Sequence, residues 1–124
     1  MARTHYKARS NNKDNHNKNI CALAVANALG VADKVRYLHT IDDLKRASSH
    51  CFSVRSRKSM LCKGTGSVGN MRSSIMSKGD AKLYIVQVER HVLLMNAEGI
   101  TLIDTDPRKR DRRKVRGVWG LFSK

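Results

Sequence analysis

The pattern of the chain changes at Gly79, and that change restricts the folds open to it. Before Gly79 the apolar residues fall at helical spacing in short segments. After it they fall in runs rich in β-branched and aromatic residues: Leu83-Tyr84-Ile85-Val86-Gln87-Val88, His91 to Met95, Ile100 to Asp104 and Val115 to Phe122. Helices first and an antiparallel meander second predict the α+β class, with an N-terminal buried helix and short helices packed on a C-terminal sheet. Length sets one domain, large enough to bury about two thirds of its unfolded surface without metal or disulfide staples. Residues 1–18 read as a basic polar arm and 19–124 as the domain.

Local signals place the helices. Asn19 is the expected N-cap of a helix opening at Cys21 and closed by Gly30. That segment, Cys21-Ala22-Leu23-Ala24-Val25-Ala26-Asn27-Ala28-Leu29, is apolar on nearly every side, which predicts burial rather than amphipathicity. Thr40-Ile41-Asp42-Asp43 resembles a capping box with Asp in place of Glu, and Ile41, Leu44 and Ala47 form a helical stripe. Asp33, Asp42 and Asp43 read as helix-start charges. Residues 48–66 are rich in Ser, Arg and Gly and read as a loop. Ser67 is expected to cap a third helix carrying Val68, Met71 and Ile75, with Gly79 as its stop.

Charge is the strongest compositional signal. Lys and Arg number 25 against 10 Asp and Glu, a net charge of +15. Residues 108–116 hold seven bases in nine positions: Arg108, Lys109, Arg110, Arg112, Arg113, Lys114 and Arg116. From Leu44 to Gly79 there are eight bases and no acid. Such an excess attracts polyanions, so nucleic acid or an acidic protein is an expected partner, with a solvated basic surface as the plain alternative. Aromatics are 5 %, which argues against base-stacking recognition of sequence. No apolar stretch spans a membrane and the first residues lack the apolar core of a secretion signal. Three cysteines, odd in number and irregularly spaced, favour reduced thiols in a cytoplasm.

Cys21, His91 and Asp104 carry the chemistry. A helix N-terminus favours a thiolate, and an adjacent imidazolium favours it further, so Cys21 is expected to be a depressed-pKa nucleophile. Between the second and third strand-like runs sits the turn-rich Asn96-Ala97-Glu98-Gly99. A hairpin with Met95 opposite Ile100 puts His91 directly opposite Asp104 on one face, within hydrogen-bonding reach. A slip of one residue destroys this. Asp104 would then orient the imidazole as the third member of a triad. The N–H of Cys21 and a side-chain amide from Asn15, Asn17 or Asn19 are candidate oxyanion donors.

The pieces Asn19-Ile20-Cys21-Ala22-Leu23-Ala24-Val25-Ala26, Arg90-His91-Val92 and Gly99-Ile100-Thr101-Leu102-Ile103-Asp104, in that order, resemble the papain-like cysteine peptidase fold. The layout is most similar to its compact bacteriocin-processing and cell-wall-peptidase branches, including small phage-encoded members. The resemblance implies a hydrolase of peptidase or amidase type with a Cys21–His91–Asp104 triad and a peptide or protein substrate in a host cytoplasm. It implies no cofactor. Members place a Gln several residues before the Cys as oxyanion donor; here Asn15 stands there. Members carry Gly before the His; here it is Arg90. The alternative is a non-catalytic basic protein that uses the same fold to bind nucleic acid or a nucleic-acid-associated host protein.

Each residue also has a structural explanation. Cys21 suits a packed core, His91 a strand, and Asp104 the turn Asp104-Thr105-Asp106-Pro107. Trp119 reads as core. His39, His50, Cys51 and Cys62 offer nitrogen and sulfur, but no tight Cys-x-x-Cys pair occurs, so no metal is expected. Gly64-Thr65-Gly66-Ser67-Val68-Gly69 follows a poor strand and reads as a loop rather than a dinucleotide site.

Overall fold

Local capping starts each helix. The computed structural model describes residues 19–60, 66–106 and 112–124. In α1 (Ile20–Leu29) the Asn19 side chain accepts from the Ala22 N–H, and Gly30 closes the helix at φ 74°. α2 (Ile41–Ser48) opens in a capping box between Thr40 and Asp43. Asp replaces Glu there because its carboxylate takes the N–H groups of both His39 and Thr40. Burial works to raise the Asp43 carboxyl. Those two donors, with Arg46 and the Thr40 hydroxyl, outweigh it and hold the group below its ordinary range. α3 (Val68–Lys78) opens in a second capping box, Ser67 with Asn70.

Five antiparallel strands form one sheet: β1 (Phe52–Ser56), β2 (Leu83–Val88), β3 (His91–Asn96), β4 (Thr101–Ile103) and β5 (Val115–Ser123), in the order β1-β5-β2-β3-β4. The α+β class is therefore as expected. The sheet departs from a simple meander. β2, β3 and β4 follow one another, but β5 crosses back to pair with β2, and β1 lines its other edge. β1 corrects the loop expected over residues 48–66. Its sequence, Phe52-Ser53-Val54-Arg55-Ser56, is half polar because it is an edge strand. Phe52 and Val54 pack on the core while Arg55 and Ser56 stay exposed.

The central strands are buried on both faces. Ile85, Val92, Leu94 and Leu121 meet Val25 of α1 and Leu44 of α2. Tyr84, Val86, Leu93 and Met95 meet Val68, Met71 and Ile75 of α3 on the opposite side. Burial on both sides explains why β2 and β3 read as continuous apolar runs. Each large side chain fully buried this way contributes about 1.5–3 kcal/mol. α1 is less enclosed than its composition predicts. Cys21, Ala22, Val25 and Ala26 face inward, whereas Ile20, Asn27 and Ala28 are exposed. Alanine, small enough to sit on either side, masks the amphipathicity. No helix among the described residues is long and apolar enough to cross a membrane.

Candidate active site

The hairpin β3–β4 brings His91 and Asp104 together, by a different register from the one expected. The Asn96 N–H donates to the Ile100 carbonyl at 2.9 Å, so the turn is displaced by one residue. Met95 pairs with Thr101, but Leu94 pairs with Ile103, which leaves Leu102 as the extra residue of a β-bulge. The first displacement alone would turn Asp104 to the other face. The bulge adds a second and returns it to the face of His91, as a diagonal rather than a direct neighbour. The His91 Nε2–H donates to Asp104 Oδ1 at 2.7 Å. The turn that sets this register is braced: Asn96 Oδ1 accepts from the N–H groups of Glu98 and Ile100, and Gly99 takes φ 78° under Arg72 of α3.

Asp104 is the electrostatic centre of the site. Its side chain is 2 % exposed. Arg113 Nη2 donates to Oδ2 at 2.8 Å and Arg113 Nη1 to Oδ1 at 3.3 Å. The Asp106 N–H donates to Oδ1 at 3.0 Å. Burial works to raise the Asp104 carboxyl, but Arg113, His91 and the Asp106 amide outweigh it and hold the group below the usual carboxylate range. An ionised carboxylate only accepts hydrogen bonds. Nε2 of His91 therefore carries the hydrogen, and in the neutral ring Nδ1 carries the lone pair.

Arg113 was expected among the polyanion-binding bases. The structure turns it inward, onto Asp104 and, at 3.3 Å, onto Asp106. The Arg113 carbonyl accepts from the Val68 N–H at 2.8 Å, which ties this segment to the start of α3. Its neighbours Arg112 and Lys114 are exposed, as is Arg116, which pairs with Glu89 at 3.0 Å. The signal for the inward arginine was the pair of acids two residues apart, Asp104 and Asp106. A run of seven bases concealed which of them would answer it. Arg108, Lys109, Arg110 and Asn15 lie outside the described residues.

Cys21 occupies the first turn of α1, which packs against β3. Its side chain is nearly buried, with the residue 5 % exposed. The backbone N–H groups of Val92, Ala22 and Cys21 itself face the sulfur. Val92 follows His91, so the sulfur lies beside the His91 end of β3. Among the described residues the thiol donates to Asn19 Oδ1, at 3.2 Å, and not to the imidazole. The expected thiolate is reversed. Burial pushes the Cys21 thiol up to about 11, and the Asp104 charge adds to this. The three N–H groups oppose it and are outweighed. A helix N-terminus is worth about 1 kcal/mol, too little against desolvation at this site.

Asn19 is fully committed. Its Nδ2 donates to the His39 carbonyl at 3.2 Å, and its own N–H to the Leu38 carbonyl at 2.9 Å. The side chain therefore serves as cap and thiol acceptor rather than as an oxyanion donor. Asn17 lies outside the described residues, so the Cys21 N–H is the described donor at the helix mouth. Of the residues weighed for zinc, His39 is buried, Cys51 is exposed and Cys62 lies outside the described residues. Among the described residues no three His, Cys, Asp or Glu side chains are grouped to hold a metal. Trp119 is half-buried on the α1–α2 core, with the Lys45 ammonium 4.8 Å from its ring centre. No family model, curated protein or solved structure matches this chain.

Proposed function

We propose that the chain is a cysteine hydrolase of papain-like type that cleaves a peptide or amide bond with Cys21, His91 and Asp104. The observation that carries this is the 2.7 Å hydrogen bond from His91 Nε2 to a buried, Arg113-paired carboxylate, with the Cys21 sulfur facing the N–H of the next residue, Val92. A histidine held this way presents Nδ1 as a base in a fixed orientation.

The raised thiol keeps Cys21 protonated at rest. On attack, the Cys21 S–H proton leaves Asn19 Oδ1 for His91 Nδ1 as sulfur bonds to the carbonyl carbon. The oxyanion forms at the helix mouth, near the Cys21 N–H. Collapse breaks the C–N bond, and the leaving amine takes the proton from His91. Water then attacks the thioester with His91 as base, releasing the carboxylic acid and restoring the thiol. Asp104 stabilises the transient imidazolium, and Arg113 holds Asp104 in place.

p-Nitrophenyl acetate tests the reading. The wild type is expected to release p-nitrophenol in a burst stoichiometric with protein and to carry an acetyl group on the Cys21 peptide by mass spectrometry. Cys21→Ala should abolish the burst, and His91→Ala should slow it about a hundredfold or more. A wild-type protein that shows no burst, or a burst that survives Cys21→Ala, would refute the enzyme. The second reading, a non-catalytic basic binder, draws on the buried thiol and the exposed Arg112 and Lys114. It predicts salt-sensitive polyanion binding that is indifferent to Cys21→Ala.

A further inference from the structure

Arg90 stands in a backbone conformation that arginine does not favour. Its φ is 60°, and among the described residues it alone is a non-glycine with positive φ. The left-handed region disfavours a side chain with a Cβ by about 1–2 kcal/mol, and glycine would occupy this position without strain. The two-residue turn Glu89-Arg90 joins β2 to β3, and the next residue is His91. Strain of this kind persists where the side chain does something that glycine cannot. Arg90 is exposed, and among the described residues it has no ion-pair partner.

Backbone pairing places more positive charge on the same rim. Val88 pairs with Val115, so the residues entering β5 run past the Glu89-Arg90 turn, as the Arg116–Glu89 ion pair confirms. Within this entry Arg113 faces Asp104, and Arg112 and Lys114, on either side of it, are exposed. The acids nearby are occupied: Asp104 and Asp106 by Arg113, and Glu89 by Arg116. Arg90, directly before His91, and Arg112 and Lys114, on either side of Arg113, are thus exposed bases in the segments that carry the His91–Asp104 pair and its arginine, without matching acids among the described residues.

We infer that this site selects acidic peptide substrates, and that Arg90 is a specificity residue that binds a carboxylate close to the scissile bond. The inference rests on the hydrolase reading above and deepens it by naming the substrate class. The strained turn sets Arg90 directly before His91, where an exchange for glycine would ease the backbone and remove the selectivity.

Two esters separate the inference from the reading beneath it. p-Nitrophenyl acetate is neutral, and mono-p-nitrophenyl glutarate carries a free carboxylate. The wild type is expected to prefer the glutarate in kcat/KM at low salt, with the preference shrinking as salt rises. Arg90→Gly should lower the ratio of the glutarate rate to the acetate rate by about fivefold, the worth of one partly exposed charge pair, and keep or raise the Tm. Arg90→Lys should keep most of the preference. A glutarate-to-acetate ratio unchanged in Arg90→Gly, with both esters turned over, overturns the acidic-substrate inference alone. No turnover of either ester overturns the hydrolase and the inference together. A Glu-rich peptide should compete with the glutarate ester; competition by an oligonucleotide without competition by that peptide would also overturn the inference.

Discussion

Replacement of Asn19 by alanine tests how the helix, the thiol and the loop before α2 are bound together. Asn19 is fully buried, and its side chain makes three hydrogen bonds: from the Ala22 N–H, from the Cys21 thiol and to the His39 carbonyl. Loss of the cap is worth about 1 kcal/mol. Loss of the amide donor leaves the His39 carbonyl short of a partner in a buried place, worth about 1–3 kcal/mol. The thiol is a weak donor and adds little. Asn19→Ala is therefore expected to destabilise the fold by about 2–4 kcal/mol, a fall in Tm of about 4 °C for each kcal/mol in a domain of this size. Urea unfolding followed by the fluorescence of Trp119, the single tryptophan, measures it. Asn19→Ser, which keeps a capping oxygen but cannot reach His39, should recover about 1 kcal/mol. A loss below about 0.5 kcal/mol for alanine, or no difference between serine and alanine, would refute this account of the helix mouth.

Other outcomes follow from the same structure. In the folded protein Cys21 keeps its proton to about 11, against an ordinary value of 9.0, so the folded state binds more protons between those limits. The associated stability is whole below about pH 9 and declines by up to about 3 kcal/mol toward pH 11; Cys21→Ala should lack that decline in alkaline urea titrations. Asp104 is depressed, so its contribution is present above about pH 4 and lost as pH falls through its folded value. Asp104→Asn should flatten the acid limb and cost about 1–3 kcal/mol at neutral pH by leaving Arg113 with Asp106 as its remaining carboxylate, read by denaturation at a series of pH values. Gly30→Ala meets open space and should cost only the left-handed strain of about 1 kcal/mol. Gly99→Ala would also put its Cβ 2.9 Å from the Arg72 carbonyl, so thermal melts should show it to be clearly the more damaging.

What was legible in the chain is what short-range chemistry decides. Asn19, Thr40 and Ser67 announce their helices because a cap bonds to an amide two or three residues on. β1 was not legible because a half-polar edge strand forms only when β5 arrives about sixty residues later to pair with it. The return of β5 to β2 is hidden for the same reason. His91 and Asp104 were legible as partners because the true pairing differs from the expected one by two residues and so keeps both on one side of the sheet. The protonation of Cys21 was not, since it depends on how completely the sheet covers the helix mouth. Arg113 was hidden in a run of bases, where composition cannot say which one turns inward.

The bulge at Leu102 makes the hairpin's length an odd-or-even matter. Substitutions along β3 and β4 leave the count of residues intact. Deleting a single paired residue of either strand shifts that count by one and points the carboxylate away from the ring, whereas deleting Leu102 itself only irons out the bulge. Drift in the length of this hairpin is therefore compatible with a working dyad in steps of two, or when a kink is gained or lost together with the residue.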